Sequence, residues 1–401
     1  MRREIKIPDY ATIAGQRFSI GSIGKDDARF RIQNTTEEEC REYALLLEKE
    51  GFEKVAEKEI SAGSEYPYNV NLFFTYTGYK MAVFIFWDAS IRTTFITVEA
   101  SQPLPICQDI KTINKGNKYI APSFTQLQLT SGMCYVVQLI DGDFIIIDGG
   151  DYNDNDIQRL YAFIKEKSPL CPPTVALWIF THAHEDHIGL ATEFIKRYEQ
   201  EIEIKAFAYQ FPNCDKITVS MESVSHMKAQ IKRLETNIKN FFPNAVIFTL
   251  HTGQSYYYAG LEIEILFTLD NTYPMFYTSF NDTSAALRLI FDNGKKVLLL
   301  GDCMQEACRR LAHTYGDYLK SDILQVAHHG LIGGDKYLYA FVDPEICFWS
   351  TSEERFLGRL PNQRYQWCLG EGCCDYNAYL RNDKIRKRQH YHSSKTATIT
   401  I

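Results

Sequence analysis

The chain has 401 residues, of which 45% are hydrophobic and 23% are charged, a balance typical of soluble globular proteins and unlike that of disordered or fibrous chains. At roughly 100–200 residues per domain, this length predicts about two or three domains. The formal net charge of −7 argues against a surface built throughout for nucleic acid, so binding of that kind would be local.

The sequence predicts neither membrane insertion nor export. No run reaches 18 consecutive apolar residues, which excludes a transmembrane helix. Pro8 and Asp9 interrupt the first segment before an apolar stretch begins, so no secretory signal is expected. Eleven cysteines are too sparse for a disulfide scaffold, and we expect reduced thiols in a cytoplasmic protein with no membrane partner.

The first hundred residues predict a small α+β domain. Thr36 and Glu39 have the spacing of a capping box, and apolar residues then repeat with the period of a helix that ends near Gly51. Three strand-like segments follow at 71–76, 81–87 and 93–98, with a hairpin expected at Gly78. We interpret residues 1–105 as an accessory domain for substrate positioning or self-association, and a homodimer stays open.

From residue 118 onward, predicted strands and helices alternate. Asp141-Gly142 between two apolar segments predicts a tight hairpin, and residues 174–180 form an apolar run typical of a buried strand. This succession predicts an α/β architecture in which sheets are covered by helices. The other predicted helices are 156–167, 191–200, 219–241 and 305–313, and the other strands are 134–140, 144–147, 246–250, 285–291, 296–300, 323–327, 346–349 and 396–401.

The segment after the strand at 174–180 carries the clearest chemistry. His182 and His184 are two residues apart, so in an extended chain their imidazoles project to the same side. Asp186 and His187 follow where the backbone bends toward a helix. Imidazole with carboxylate is the donor set of zinc and related transition metals, and the segment therefore predicts a metal site.

Other predicted strands also end in residues that bind metals. Asp302 follows the strand at 296–300, and His328 and His329 follow the strand at 323–327. Because open α/β sheets collect functional groups at the carboxyl ends of their strands, we expect these residues to share the site. Asp148 follows the strand at 144–147 in the same way, although Asp-Gly-Gly alone is more often a plain turn.

These motifs together resemble the metallo-β-lactamase-fold hydrolases over roughly residues 118–401. Within that superfamily the segments NDTSAALRL, VLLLGD and DILQVAHHG look most like the hydrolase domain of ComEC, the DNA-uptake competence protein. They are also similar to segments of bacterial phosphorylcholine esterases. The resemblance implies a four-layer αββα sandwich with two metal ions along one edge.

The resemblance also implies a ligand set. By motif, His182 and His184 would hold one ion, and Asp186 and His187 would hold the other. Asp302 would bridge the two ions. Asp186 would in addition orient or deprotonate the attacking water.

The two adjacent histidines of this ligand set remain alternatives. One of His328 and His329 would complete the second ion; we favour His329, which leaves His328 near the substrate to stabilise charge on a phosphoryl oxygen. Asp148 would orient the metal-binding loop through hydrogen bonds, outside the ligand set itself.

One departure from the family pattern concerns the first ion. Many members supply a further histidine just before the strand that precedes the Gly-Asp strand, but residues 280–284 here contain none. The ComEC-like branch looks similar in this respect. We expect the first ion to have fewer protein ligands, and His251 to be an ordinary surface residue rather than a replacement.

The leading functional hypothesis is a metal-dependent hydrolase. Two divalent ions, zinc first with manganese and iron as alternatives, would activate a hydroxide and clamp both oxygens of an in-line displacement. This predicts anionic phosphoester substrates, either phosphodiesters or nucleic acid. The alternatives are carboxyl-ester, lactone or thioester hydrolysis and a non-catalytic metal-binding scaffold. A di-iron oxidoreductase ranks last, because His184 occupies the position where such enzymes usually carry a carboxylate.

Overall fold

The structure, a computed structural model, describes residues 18–21, 28–63, 70–100, 104, 120–215, 217, 219, 222–272, 277, 279–357 and 377–401. These residues form three β-sheets and eight α-helices. The predicted junction between the domains, at residues 105–118, lies outside the described residues. Within the described part, no helix has the length and apolar character needed to cross a bilayer.

The first sheet belongs to the N-terminal part of the chain and is antiparallel, with strand order β1-β2-β6-β5-β4-β3. Its helix α1 (Glu37–Lys49) begins at the predicted capping box, in which Thr36 and Glu39 bond each other's backbone N–H groups. The predicted hairpin at Gly78 is also confirmed. The strands are β1 Phe18–Gly21, β2 Ala28–Gln33, β3 Glu53–Ser61, β4 Val70–Gly78, β5 Met81–Asp88 and β6 Thr93–Ala100.

Two further sheets form the centre of the molecule. The second has strand order β13-β12-β10-β9-β8-β7-β21, with β11 also paired to β10, and the third has order β14-β15-β16-β17-β18-β19-β20. The second sheet consists of β7 Ser123–Gln126, β8 Tyr135–Gln138, β9 Phe144–Ile147, β10 Thr174–Ile179, β11 Glu203–Ile204, β12 Ala206–Tyr209, β13 Val246–Thr249 and β21 Ala397–Thr400. The third consists of β14 Ser255–Tyr258, β15 Leu261–Phe267, β16 Ala286–Phe291, β17 Lys296–Leu299, β18 Ile323–Gln325, β19 Ile346–Trp349 and β20 Gln389–His392.

Helices cover the outer faces of these two sheets. One apolar core lies between the second sheet and its helices, another lies between the two sheets, and a third lies on the outer face of the third sheet. This is the predicted four-layer αββα sandwich. The helices are α2 Asp154–Lys167, α3 Glu185–Arg197, α4 Val224–Phe241, α5 Gln305–Tyr315, α6 Lys336–Val342, α7 Glu353–Phe356 and α8 Ala378–Arg381.

The N-terminal sheet packs on the outer core of the third sheet. Phe73, Phe86 and Phe95 join the apolar cluster that includes α5, and Phe73 stacks on Tyr315 with ring centroids 6.4 Å apart. Since these rings are buried in a shared core, the N-terminal domain is part of the same packed unit as the sandwich rather than a loosely tethered module.

The packing of the N-terminal sheet on the sandwich corrects the prediction that His251 is a surface residue. This residue is completely buried instead of lying on the surface. Its ring nitrogens lie 2.9 Å from Asp270 and 3.0 Å from Glu99, and the Phe84 ring stacks on it. The N-terminal sheet supplies Glu99 and Phe84, so the burial arises from domain packing that local sequence does not reveal.

A buried ion pair at this contact gives a stability prediction. Glu264 lies 2.6 Å from Arg288 and also bonds Lys58 of the N-terminal sheet. Burial alone would raise the pKa of Glu264, but Arg288 and Lys58 hold it below its ordinary value. Glu264→Gln should lower the free energy of unfolding by about 3–5 kcal/mol, because it leaves the buried Arg288 charge unpaired. Urea denaturation at neutral pH measures this.

The pH dependence follows from the direction of that shift. A depressed carboxyl pKa stabilises the fold at neutral pH, and this contribution disappears as the pH falls below the ordinary glutamate value. The difference between wild type and Glu264→Gln should therefore shrink in acid. Glu262→Gln, on the same strand but partly exposed, is the control and should cost less than about 1 kcal/mol. Equal effects of the two substitutions would contradict the prediction.

Candidate metal centre

The predicted metal-binding segment joins β10 to α3. His184 is extended, with φ −61° and ψ 149°, and serves as the N-cap, so α3 begins at Glu185 rather than at the predicted residue 191. Asp186 and His187 consequently lie in the first turn of the helix. The bend expected at these residues is therefore the helix start itself, and it turns both side chains back toward His182.

Six predicted residues come together at the carboxyl ends of the strands, in two groups of three whose ligand atoms lie within 4.8 Å of one another. Asp302 lies between the groups: its Oδ1 is 3.3 Å from His187 Nε2, and its Oδ2 is 3.3 Å from His329 Nε2 and 3.9 Å from His182 Nε2. The first group is His182, His184 and Asp302, and the second is Asp186, His187 and His329.

Asp148 lies beneath this cluster and is fully buried. It accepts hydrogen bonds from the Thr181 backbone at 2.8 Å, from the Thr181 hydroxyl at 2.8 Å and from His187 Nδ1 at 2.8 Å. Its backbone is left-handed, with φ +58°. Because Nδ1 of His187 is anchored in this way, its Nε2 faces the cluster.

The adjacent histidines have different surroundings. Both have left-handed backbones, with φ +50° at His328 and +56° at His329. His329 Nδ1 donates to the Ser350 carbonyl at 2.9 Å, so its Nε2 faces the cluster. His328 Nδ1 donates to the Ile332 carbonyl, and its Nε2 accepts from Asn281 at 3.2 Å.

Glu222 is a site residue that the sequence analysis missed. One carboxylate oxygen lies 2.6 Å from His184 Nε2, and the other accepts the Phe280 backbone N–H at 3.2 Å. Burial alone would raise the pKa of Glu222, but bonds to His184 and Ser279 hold it below its ordinary value. His184 Nδ1 is left facing His182 Nε2, 2.9 Å away. No local motif marks Glu222, which lies outside every predicted strand end.

Electrostatics and unpaired atoms show that the cluster suits cations. Burial alone would lower the pKa of His329, but the carboxylates of Asp302 and Asp186 raise it to about 10. Among the described residues, His187 Nε2, His329 Nε2 and Asp302 Oδ1 are buried without a hydrogen-bond partner. Such atoms are costly unless something binds them, and divalent ions would satisfy them in place of protons.

The cluster forms the floor of an open cavity of about 470 Å³. Asn281 lines it, and its Oδ1 is buried without a hydrogen-bond partner. Asn281 belongs to the segment where the family's further histidine is absent. The cavity walls are rich in hydroxyl groups and include one arginine. The remaining described lining residues are Thr130, Ser131, Gly132, His184, Asp186, Asp302, His328, His329, Leu331, Ile332, Ser350, Thr351, Ser352, Arg355 and Ser393.

A family model described as the metallo-beta-lactamase superfamily matches residues 127–231. That span contains His182, His184, Asp186 and His187. The match supports the metallo-beta-lactamase superfamily. Its members are generally hydrolytic and bind metal ions, often two. The αββα architecture is consistent with the metallo-beta-lactamase sandwich.

Several solved structures are similar to this chain at low identity. YhfI from Bacillus subtilis, a metallo-beta-lactamase fold protein, is 13% identical over 69% of this chain and 99% of its own, with a TM-score of 0.40. CmlA from Streptomyces venezuelae, a diiron beta-hydroxylase, is 9% identical over 71% of this chain and 55% of its own, also at 0.40. The metallo-beta-lactamase SMB-1 is 14% identical over 55% of this chain and 82% of its own, at 0.33. No curated protein matches the sequence.

Gly132 tests how the predicted metal-binding segment is supported. Its φ is +90°, and an added Cβ would lie 2.1 Å from the carbonyl oxygen of Asp186. Gly132→Ala should displace the start of α3, lower the melting temperature and weaken zinc binding. Gly294→Ala is a matched control, since Gly294 has φ +85° but nothing within 4 Å of the added atom. Gly294→Ala should lose only the free energy of backbone strain, about 1–3 kcal/mol. Equal losses of stability and zinc affinity in both variants would contradict the proposed role of the contact between Gly132 and Asp186.

Glu222 gives a second prediction at the candidate metal centre. Glu222→Gln keeps an oxygen acceptor for His184 but removes the charge that orients and polarises the ring. Zinc should bind about tenfold more weakly. This is the lower end of the loss expected when a residue that hydrogen-bonds a metal ligand is changed, since Glu222 is partly exposed. Competition with a chromogenic chelator measures this. Glu193→Gln, on α3 and paired with Arg233, should bind zinc as wild type does; unchanged affinity in Glu222→Gln would contradict the anchoring role.

Proposed function

We propose that this protein is a binuclear metal-dependent phosphoesterase. The observation that carries the proposal is the pair of ligand groups that meet at Asp302 on the floor of an open cavity. A structural metal site is closed by its protein ligands, whereas this one faces a cavity large enough for a substrate. The resemblance to the ComEC hydrolase domain makes nucleic acid one of the substrates to test.

In this proposal His182 and His184 would hold the first ion, Asp186, His187 and His329 would hold the second, and Asp302 would be shared between them. Support comes from the direction of each imidazole: one nitrogen is anchored by an outer partner and the other faces the cluster. Histidine-rich sites with carboxylates suit zinc, with manganese and iron as alternatives. When bound, the ions would ionise a water near neutral pH and polarise the phosphoryl oxygens.

Other roles in the proposed reaction belong to side chains of the protein. The Asp186 side chain is 34% exposed to the cavity, and its Oδ2 lies 3.1 Å from His329 Nε2. We assign to its carboxylate the task of orienting the attacking water and accepting its proton. His328 lines the same cavity, and we assign to its imidazole the stabilisation of charge on a phosphoryl oxygen. Asp148 and Glu222 hold the metal-binding imidazoles in position.

Metal content and a substrate panel test the proposal together. Protein purified without added metal should contain about two zinc ions per chain by elemental analysis. It should hydrolyse bis-nitrophenyl phosphate faster than nitrophenyl acetate. Single-stranded DNA is the third substrate of the panel. Hydrolysis of the acetate but of neither phosphodiester would contradict the proposed function.

A further inference from the structure

We propose that the amide oxygen of Asn281 is a further ligand of the first metal ion, which His182, His184 and Asp302 would hold. The inference rests on the proposed binuclear centre and adds one ligand to it, beyond the histidines and carboxylates of the two groups. It is drawn from a buried polar atom beside the cluster that has no hydrogen-bond partner among the described residues.

The Asn281 amide has a defined orientation. Its Nδ2 lies 3.2 Å from His328 Nε2, and the other ring nitrogen of His328 bonds the Ile332 carbonyl. Because a carbonyl oxygen can only accept, His328 Nδ1 is the donor of that bond, and His328 Nε2 accepts from the amide. The NH2 group of Asn281 therefore faces His328, and the amide oxygen is turned away from it.

That amide oxygen is buried and unsatisfied. Asn281 is only 7% exposed, and its Oδ1 has no partner among the described residues. Three ligand atoms of the cluster share this condition: His187 Nε2, His329 Nε2 and Asp302 Oδ1. A buried acceptor of this kind is costly unless a donor or a cation binds it. An ion that enters the cluster would satisfy the amide oxygen together with the other unpaired atoms.

One end of the turn that carries Asn281 is tied to His184. The turn is the one-turn 3-10 helix Phe280–Thr283, and its first backbone N–H donates to Glu222 at 3.2 Å. The other carboxylate oxygen of Glu222 lies 2.6 Å from His184 Nε2. The Phe280 ring also packs edge-on against the His184 ring, with the ring centroids 6.3 Å apart. The turn and the first ligand group are therefore held together.

The other end of the turn is tied to Asp302. The Ser284 backbone N–H donates to the Asn281 carbonyl at 3.1 Å, and the Ser284 hydroxyl accepts the Asp302 backbone N–H at 3.1 Å. His328 Nε2, which accepts from the Asn281 amide, lies 3.8 Å from Asp302 Oδ2. Asn281, His184 and Asp302 line the same cavity. Asn281 is thus held beside two of the three residues assigned to the first ion.

A neutral ligand suits the first ion. The second ion would be held by two imidazoles and two carboxylates, one of them shared, whereas the first has two imidazoles and only the shared carboxylate. A carbonyl-type oxygen binds divalent ions and gives the first ion as many protein ligands as the second. Because it adds no negative charge, the first ion would keep more of its positive charge for the phosphoryl oxygen of the substrate.

Zinc binding by three variants tests this inference. Leucine has nearly the shape of asparagine but no oxygen, so Asn281→Leu should bind the second ion as wild type does and the first at least about tenfold more weakly. Asn281→Asp keeps an oxygen but removes the N–H that His328 accepts, and it should retain the first ion. Asn237→Leu is the matched control, since it loses an amide bond to the Thr192 carbonyl outside the cavity lining. Chelator competition measures both affinities.

The possible results separate this inference from the proposed function. Wild-type affinity for both ions in Asn281→Leu would overturn the inference and leave the phosphoesterase intact. A raised KM for bis-nitrophenyl phosphate with unchanged zinc affinity would also overturn it, because the amide oxygen would then contact the substrate. Loss of the first ion from Asn281→Asp would do the same, since the bond to His328 would be the cause. A wild-type protein that fails to bind two zinc ions would reject the binuclear centre and the inference together.

Discussion

Asp302→Ala is expected to lose both zinc ions and all measurable hydrolysis. Asp302 is buried between the two ligand groups, and its oxygens are 3.3 Å from both His187 Nε2 and His329 Nε2. Burial alone would raise its pKa, but His329, His187 and His328 hold that pKa well below the ordinary value. The loss of zinc affinity should exceed the roughly 10–100-fold loss that is typical when a residue that hydrogen-bonds a metal ligand is changed.

The matched control for this variant is Asp292→Ala. Asp292 is exposed in the turn between β16 and β17, at the opposite end of the strand that leads to Asp302. It should keep wild-type zinc content by elemental analysis and wild-type activity. Circular dichroism of Asp302→Ala verifies that the sandwich still forms. A folded Asp302→Ala protein with two zinc ions and full activity would reject the proposed bridge.

Asp148→Asn is expected to produce the second largest loss. Asparagine has almost the same shape and tolerates a left-handed backbone, so the φ of +58° is not a source of strain. Its amide cannot accept all three hydrogen bonds that Thr181 and His187 donate to Asp148. We expect zinc affinity to fall about 10–100-fold and the free energy of unfolding to fall by about 1–3 kcal/mol.

Chelator competition and urea denaturation measure those two effects. Asp151→Asn, in the same loop, is the control, because the Asp151 side chain bonds only the neighbouring Tyr152 backbone among the described hydrogen bonds. It should retain wild-type zinc affinity. The prediction would be wrong if Asp148→Asn bound zinc as tightly as the control does.

The sequence predicts much of this architecture because its signals are local. The capping box at Thr36, the hairpin at Gly78 and the strand at Ile346–Trp349 each depend on a few neighbouring residues, and each is observed. The alternation of strands and helices predicted sheets covered by helices, and the resemblance implied the four-layer arrangement. The predicted start of α3 was wrong by six residues. His184 caps the helix without a side-chain hydrogen bond, so no capping motif in the sequence marks this position.

The missed features depend on contacts between distant parts of the chain. Glu222 reaches His184 across 38 residues, and no spacing rule links them. His251 becomes buried only because Phe84 and Glu99 of the N-terminal sheet pack against it. The sequence marks Asn281 only as part of the segment in which the family's further histidine is absent, and it does not predict that Asn281 lines the cavity. Local pattern therefore predicts the ligand types, whereas tertiary packing decides which residues orient them.

The most direct test of the account is the anomalous zinc signal from crystals grown with zinc. We expect two zinc peaks per chain, one bound by His182 and His184 and the other by Asp186, His187 and His329, with Asp302 in contact with both. A map in which His187, Asp302 and His329 bind no ion would contradict it, as would zinc confined to another part of the protein.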